Sequence, residues 1–409
     1  MGVRSKVSSI SPSVLKYYLY KATKAVEFYR PIMFLFFLAQ GLSFTQIVVL
    51  EAIYNLTTVL GEVPTGYVGD RVGRRNSLLI GTGLIAVTLV GIGFAGSFHT
   101  LAGLYFFWSM GYNFRSGSED AWLYDTLTDE LSEDRFAHVR GRGESVALGL
   151  GALAAVLGGY LGSIDLSIPW FVAAAVTGLG VPVLLSVDEP ASYEQSGSSA
   201  ASLRRTFGIV SDVFAERNIR ALVLYYFVLY AGVTYLVFIY LQPIFESVVI
   251  DLGLPPDLVE SLLGVFYAAY SLFGAVLSYY TGAIKEHIGM RTWFIVLPLV
   301  VGSALMGLYL LPVLALPTFL VARGLSDVTR SFASQYINDR IETVGRATVL
   351  SSMAMVTGLT VIPFQLTSGV ISDLVSPFFA LALAGGVLVV GSTVIMLWET
   401  PIPRAPAKE

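Results

Sequence analysis

Apolar runs of membrane-spanning length recur along almost the whole chain, separated by short polar breaks. An α-helix needs about 20 residues to cross hydrocarbon, and a window of that size finds twelve such runs. They lie near residues 16–41, 45–68, 77–96, 100–125, 143–163, 167–186, 220–247, 258–283, 292–312, 314–338, 347–372 and 376–398. The first and fourth are the most polar. Because the runs are apolar all round rather than along one stripe, a soluble bundle built from them has no wettable face. The pattern predicts an all-α integral membrane protein of twelve transmembrane helices.

The breaks between runs are unequal. The odd-numbered connections, near 42–44, 97–99, 164–166, 248–257, 313 and 373–375, hold no Lys or Arg. The even-numbered ones hold Arg71, Arg74, Arg75, Arg135, Arg140, Arg142, Arg204, Arg205, Arg217, Lys285, Arg291, Arg340 and Arg346, and both tails are basic too. By the positive-inside rule the termini are expected in the cytoplasm, which agrees with an even number of spans. One connection is long. From 187 to 219 it opens with Asp188-Glu189-Pro190, passes through a Ser/Gly-rich run and continues as Leu203-Arg204-Arg205-Thr206-Phe207, a flexible linker leading into an amphipathic helix on the inner surface. The expected units are therefore a six-helix bundle over 1–186, the linker over 187–219 and a second six-helix bundle over 220–409.

Composition supports this layout. With 55% hydrophobic and 13% charged residues and a mean hydropathy of +0.71, the chain has too little polar surface for a soluble globule. Net charge is only -4 and the basic residues are dispersed, so nucleic acid is not an expected partner. There is no cysteine and only three histidines, which leaves no thiol chemistry, little for a metal site and no expected cofactor. Met1 to Val14 lacks the apolar core of a signal peptide.

The second break reads Gly66-Tyr67-Val68-Gly69-Asp70-Arg71-Val72-Gly73-Arg74-Arg75, and a degraded copy stands at Gly282-Ala283-Ile284-Lys285-Glu286-His287-Ile288-Gly289-Met290-Arg291. Tyr124-Asp125 is echoed by Tyr336-Ile337-Asn338, and Gly141-Arg142 by Gly345-Arg346, in the same order. Two related halves are a transporter's architecture. The first loop resembles the G-x-x-x-D-R-x-G-R-R signature of major facilitator superfamily transporters, and two six-helix halves around a long central loop match that family along the whole chain. The stretches Gly41 to Gln46 and Glu62 to Gly66 resemble a prokaryotic subgroup often assigned to efflux, with mostly undefined substrates. The fifth span has Gly149, Gly151, Gly158, Gly159 and Gly162 but not the Gly-Pro pair of the antiporter signature. The resemblance implies a gate: Asp70 against the start of the eleventh helix near Gly345 to Thr348, and Arg74 paired with an acid of the fourth helix, nearest Asp125. Gly66 and Gly73 permit close approach and a tight turn, and Arg71 and Arg75 complete the motif.

Charges inside spans point to the transport site, because a charge at mid-bilayer costs several kcal/mol unless it faces a cavity or a partner. The first span carries Lys21, Lys24, Glu27 and Arg30 before Pro31; the second carries Glu51. The fourth carries Arg115, Glu119 and Asp120, with Arg115 and Glu119 spaced to share a helix face, and the tenth carries Arg323, Asp327 and Arg330. By the resemblance, the first, fourth, seventh and tenth helices line the cavity, and the seventh adds Tyr226 and Tyr230 among its five tyrosines. Proton coupling needs a carboxylate whose protonation answers to burial and to a neighbouring cation. Glu27, Glu119 and Asp120 fit, with Arg30 and Arg115 as partners. Glu51, without a charged neighbour on its own helix, must be protonated or paired to another span. Pro31, Pro64 and Pro363 are expected to interrupt their helices.

These readings describe a secondary active transporter in the cell membrane, acting as a monomer by rocker-switch alternating access and exporting a small organic solute in exchange for protons. The alternative is a proton-coupled importer of an organic anion, favoured if arginines in the cavity are free rather than paired. A non-transporting sensor would need an added soluble domain, and the tails are short. No His-Glu-x-x-His, Gly-x-Ser-x-Gly or Gly-x-x-x-x-Gly-Lys run occurs, which removes the motif-bearing enzymes and nucleotide-driven pumps from consideration.

Overall fold

The computed structural model describes residues 11–130, 136–189, 208, 217–340, 346–400 and 402, without the side chains of Asp70, 128–130, 217–218, 346–348 and 350–351. Most of the linker with its amphipathic helix, and the expected partner region of Asp70 near Gly345 to Thr348, thus lie outside the described residues or side chains.

Twelve spans are present. The first is two helices, Pro12–Ala25 and Met33–Ala39; the second and third are Phe44–Val72 and Arg74–Phe94. The fourth is Phe98–Arg115 with Ser118–Glu130, the fifth Phe136–Ile164 and the sixth Ile168–Gly178 with Gly180–Leu185. The seventh joins Arg217–Leu222, a π-helical stretch Val223–Tyr230 and Ala231–Asp251. Then come Val259–Tyr279 with Thr281–His287, Met290–Gly307, Ala315–Asn338, Arg346–Leu374 and Pro377–Trp398.

Among the described residues, nine stretches are long and apolar enough to cross a membrane by themselves, and the spans without one are the first, fourth and tenth. The first is broken over residues 26–32, the fourth at Ser116 and Gly117, and the tenth carries three charges. Local hydrophobicity has been given up in the spans that hold the polar site. Of the three prolines expected to interrupt helices, only Pro31 sits in a break; the second and eleventh helices run on through Pro64 and Pro363. Within a long buried helix, one lost hydrogen bond is tolerated when neighbours re-satisfy the backbone.

The repeat is visible in the backbone. Gly41 and Gly253, which follow the first and seventh spans, have φ of 81° and 78°; Gly73 and Gly289, which precede the third and ninth, have 95° and 77°. Left-handed conformations at matching turns require glycine in both halves. A fifth, Gly117 at 72°, marks the break in the fourth span.

The halves meet at the end that carries the odd-numbered connections. There the fifth and eighth spans pack at Gly159 and Gly264, where no Cβ fits, and the Oγ atoms of Ser163 and Ser261 are 3.4 Å apart. The second and eleventh spans touch at Val48 and Gly369. Contact continues to Val59 beside Gly358; two turns further on, no described residue lies within 4 Å of a Cβ built on Gly66.

Candidate functional site

Between the halves lies a cavity of about 510 Å³. Its wall draws on the first, fourth, seventh and tenth spans, with the second, eighth and eleventh filling the corners. Of the charged residues expected there, Arg30, Glu51 and Arg323 line it.

The break in the first span brings two of its charges together. Arg30 Nε donates to Glu27 Oε2 at 2.9 Å, and Tyr112 Oη of the fourth span donates to Glu27 Oε1 at 2.6 Å. The break also leaves backbone groups without helical partners, which inside a membrane must be satisfied from elsewhere. Gln242 of the seventh span does this. Its Oε1 accepts from Phe34 N at 2.7 Å and Leu35 N at 3.4 Å, and its Nε2 donates to Arg30 O and Tyr267 Oη at 2.8 and 2.9 Å. It is fully buried. Nothing in its local sequence marks Gln242, beyond its being an amide within an apolar run.

Glu51 is paired across spans, by hydroxyls and not by a cation. Tyr105 Oη of the fourth span donates to its Oε1 at 3.2 Å and Tyr235 Oη of the seventh to its Oε2 at 2.8 Å, so one carboxylate bridges the two halves. Arg323 has no ion-pair partner among the described residues. Its guanidinium lies 5.4 Å from the ring centre of Tyr270 and 5.9 Å from that of Phe238, whose ring also has Arg30 at 5.3 Å.

The other expected cavity residues stand elsewhere. The break at Gly117 parts Arg115 from Glu119, so the same-face pair expected from their spacing does not form. Glu119 is instead buried between Lys21, 2.6 Å away, and Lys24, and Lys21 also meets Glu144 of the fifth span at 2.7 Å. Arg115, 3% exposed, sits 5.7 Å from the ring centres of both Tyr20 and Tyr112. Asp120 pairs with Arg140 at 2.9 Å. Asp327 pairs with Arg330 on the exposed side of the tenth span, outside the cavity wall. Tyr226 and Tyr230 are also absent from the wall: the π-helical stretch stacks them on each other, 5.9 Å apart, with Tyr226 against Phe294 of the ninth span.

The basic loop is built largely within the first half. Gly73 is held to glycine by its φ of 95°, and the space that a Cβ would occupy is taken by the Glu189 carboxylate, 2.8 Å away. That carboxylate accepts from Arg74 N at 2.5 Å and Arg75 N at 3.1 Å, capping the third helix where a negative charge is favoured. Arg75 donates to Leu184 O and Leu185 O, each at 3.0 Å, while Arg71 lies over the Tyr67 ring at 4.3 Å. Arg74 Nε is 4.0 Å from Asp125 Oδ2. Among the described residues nothing lies within 4 Å of a Cβ built on Gly66, and the start of the eleventh helix, which the motif is expected to face, lies outside the described residues or side chains. In the sequence Glu189 is part of an acidic pair that opens the linker, and no local pattern ties it to the start of the third helix.

Residues 25–356 match the sequence profile of the Major Facilitator Superfamily. The chain belongs to that superfamily. Its members' fold is shared by the nucleoside transporter NupG (TM-score 0.77, 13% identity, covering 94% of this chain and 97% of that one). It is also shared by a bacterial homologue of the human lysosomal transporter Spinster (0.66, 16%, 95% and 94%) and by a D-xylose–proton symporter (0.66, 12%, 96% and 97%). No curated protein matches the chain. As a superfamily member with this two-bundle architecture it is a multi-pass membrane protein and a secondary transporter, not an enzyme.

Proposed function

We propose that this superfamily member moves a small organic solute by proton-coupled alternating access in the cell membrane, with both termini cytoplasmic. Residues 1–186 and 220–409 rock against each other about 187–219, and a single chain suffices. The distribution of Lys and Arg supports this orientation; the even-loop end then faces the cytoplasm and the closed odd-loop end makes the conformation inward-facing. A D-xylose–proton symporter among the similar folds is in keeping with proton coupling and a small polar cargo.

The observation that carries the coupling is the bridge at Glu51. Glu27, Glu119 and Asp120, the carriers expected first, each have a cationic partner. Glu51 instead has a tyrosine hydroxyl from each half. An ionised carboxylate accepts from both; once protonated, one of its oxygens becomes a donor. Protonation therefore loosens the Tyr105–Glu51–Tyr235 bridge and with it the contact between halves, which links proton occupancy to conformation.

The test uses proteoliposomes with a lumenal pH dye, challenged with pooled nucleosides, pentoses and aromatic acids. Solute addition should move protons in the wild type. Glu51→Gln should lose that signal and keep solute exchange at equal pH. A proton signal unchanged in Glu51→Gln removes Glu51 from the coupling.

A further inference from the structure

Pair by pair, the cavity charges do not match: one cation is left without an acidic partner beside it. Arg30 is neutralised by Glu27 at 2.9 Å, and Glu51 is held by hydroxyls. Arg323 remains, half-buried, without an ion-pair partner among the described residues and backed only by the faces of Tyr270 and Phe238. A guanidinium held on ring faces keeps its edge N–H donors available, and that fork matches a two-oxygen anion. One side of the remaining wall is aromatic: Tyr54 stands edge-to-face with Trp108 and with Tyr112, and the three ring centres are 5.7–6.2 Å apart. Such faces suit a planar ring.

We propose that the cavity takes a small organic anion bearing a flat ring, with its carboxylate, sulfonate or phosphate group held by Arg323, and that the anion binds together with a proton on Glu51. The proposal rests on the transport reading above and adds the substrate class. The groups around Glu51 fix the sign. From the first span it is faced by Arg30 with Glu27, from the fourth by Tyr105 and Tyr112, from the seventh by Tyr235, and across the cavity by Tyr270 and Arg323 of the eighth and tenth. With Glu51 ionised these groups sum to zero; with Glu51 neutral one positive charge is left for the ligand. Proton and anion therefore favour each other's binding and travel the same way, which selects the importing alternative over proton-exchange export.

Three matched probes test this on the purified full-length protein: 2-naphthalenesulfonate, its neutral sulfonamide and 2-naphthylmethylammonium. The sulfonate stays ionised at every pH used, so it cannot carry a proton through lipid unaided. Thermal stabilisation should favour the sulfonate over the other two, with an apparent affinity about tenfold or more higher, as expected for a charge-assisted pair, and the preference should strengthen as pH falls. Arg323→Gln should erase it, Arg323→Lys should keep part of it, and Arg330→Gln, outside the cavity, should leave it intact. If Arg323→Gln does not fold, Arg323→Lys and the wild-type ranking still decide. Equal stabilisation by all three probes, or a sulfonate preference that survives in Arg323→Gln, overturns the proposal. Arg323-dependent binding with no solute-driven proton movement would instead sink the transport reading and leave the site standing; Arg323-independent flux of neutral or cationic solutes would do the reverse.

Discussion

The two ends of the bundle use the same chemistry in different places. At the odd-loop end, polar side chains of the second half reach backbone groups of the first: Gln242 into the broken first span, and Asp373 onto the start of the second helix, where its oxygens accept from Phe44 N at 2.8 Å and Thr45 N at 2.9 Å. At the even-loop end, an equivalent carboxylate cap, Glu189 on the third helix, stays inside the first half, as do Arg75 on the sixth span and Arg74 beside Asp125. A cap within a half shapes that half in every state. A cap between halves exists only while that end is closed, so its free energy enters the conformational equilibrium directly. The comparison yields a ranking: substitutions at crossing caps should move the equilibrium, and substitutions at internal caps should change stability alone.

The absence of native cysteine offers a clean readout. Ser163 and Ser261 face each other across the closed end at 3.4 Å, so a Ser163→Cys/Ser261→Cys pair should cross-link readily in this conformation and report how much of it is populated. The largest effect is expected for Gln242→Leu. The change leaves two N–H groups and one carbonyl of the first span without their partner, at about 1–3 kcal/mol for each buried group that stays unsatisfied. Cross-linking should slow by more than tenfold and the melting temperature should fall. Unchanged cross-linking would mean that Gln242 mends the first span without holding the halves.

The twelve spans were legible because each is a local run of apolar residues, and the turn at Gly73 because it stands in a polar break. The site was legible only in part. The sequence presents Glu51 as a carboxylate either protonated or paired to another span, and does not say which: its tyrosines come from the fourth and seventh spans, and no local pattern couples them. Arg115 and Glu119 look like one helix face until Gly117 takes a φ of 72° and turns the chain between them. Tyr226 and Tyr230 depend on a π-helical stretch whose phase differs from that assumed for an α-helix. Gln242 was invisible for a related reason: the groups that it satisfies are orphaned by a break some two hundred residues earlier in the chain. What failed was the inference of direction from position, wherever a helix departs from regular geometry.

A smaller shift is expected at Asp373→Asn. An exposed carboxylate at a helix N-terminus contributes about 0.3–1 kcal/mol, and the amide keeps one accepting oxygen. Cross-linking of the Ser163→Cys/Ser261→Cys pair should slow two- to fivefold, with little change in melting temperature. An effect as large as that of Gln242→Leu would make Asp373 the principal clasp and the broken first span secondary.

Glu189→Gln sharpens the contrast, because it removes the same kind of charge from the same kind of helix end without touching the second half. The third helix loses its carboxylate cap, so thermal stability should fall by about 1 kcal/mol, while the cross-linking rate across the odd-loop end should match that of the parent pair. The logic is one of linkage: a contact present equally in both conformations cancels from the equilibrium between them, however much it contributes to either. If Glu189→Gln slowed cross-linking as much as Asp373→Asn, its cap would have to differ between conformations. The basic loop would then belong to the gating machinery rather than to the frame of the first half.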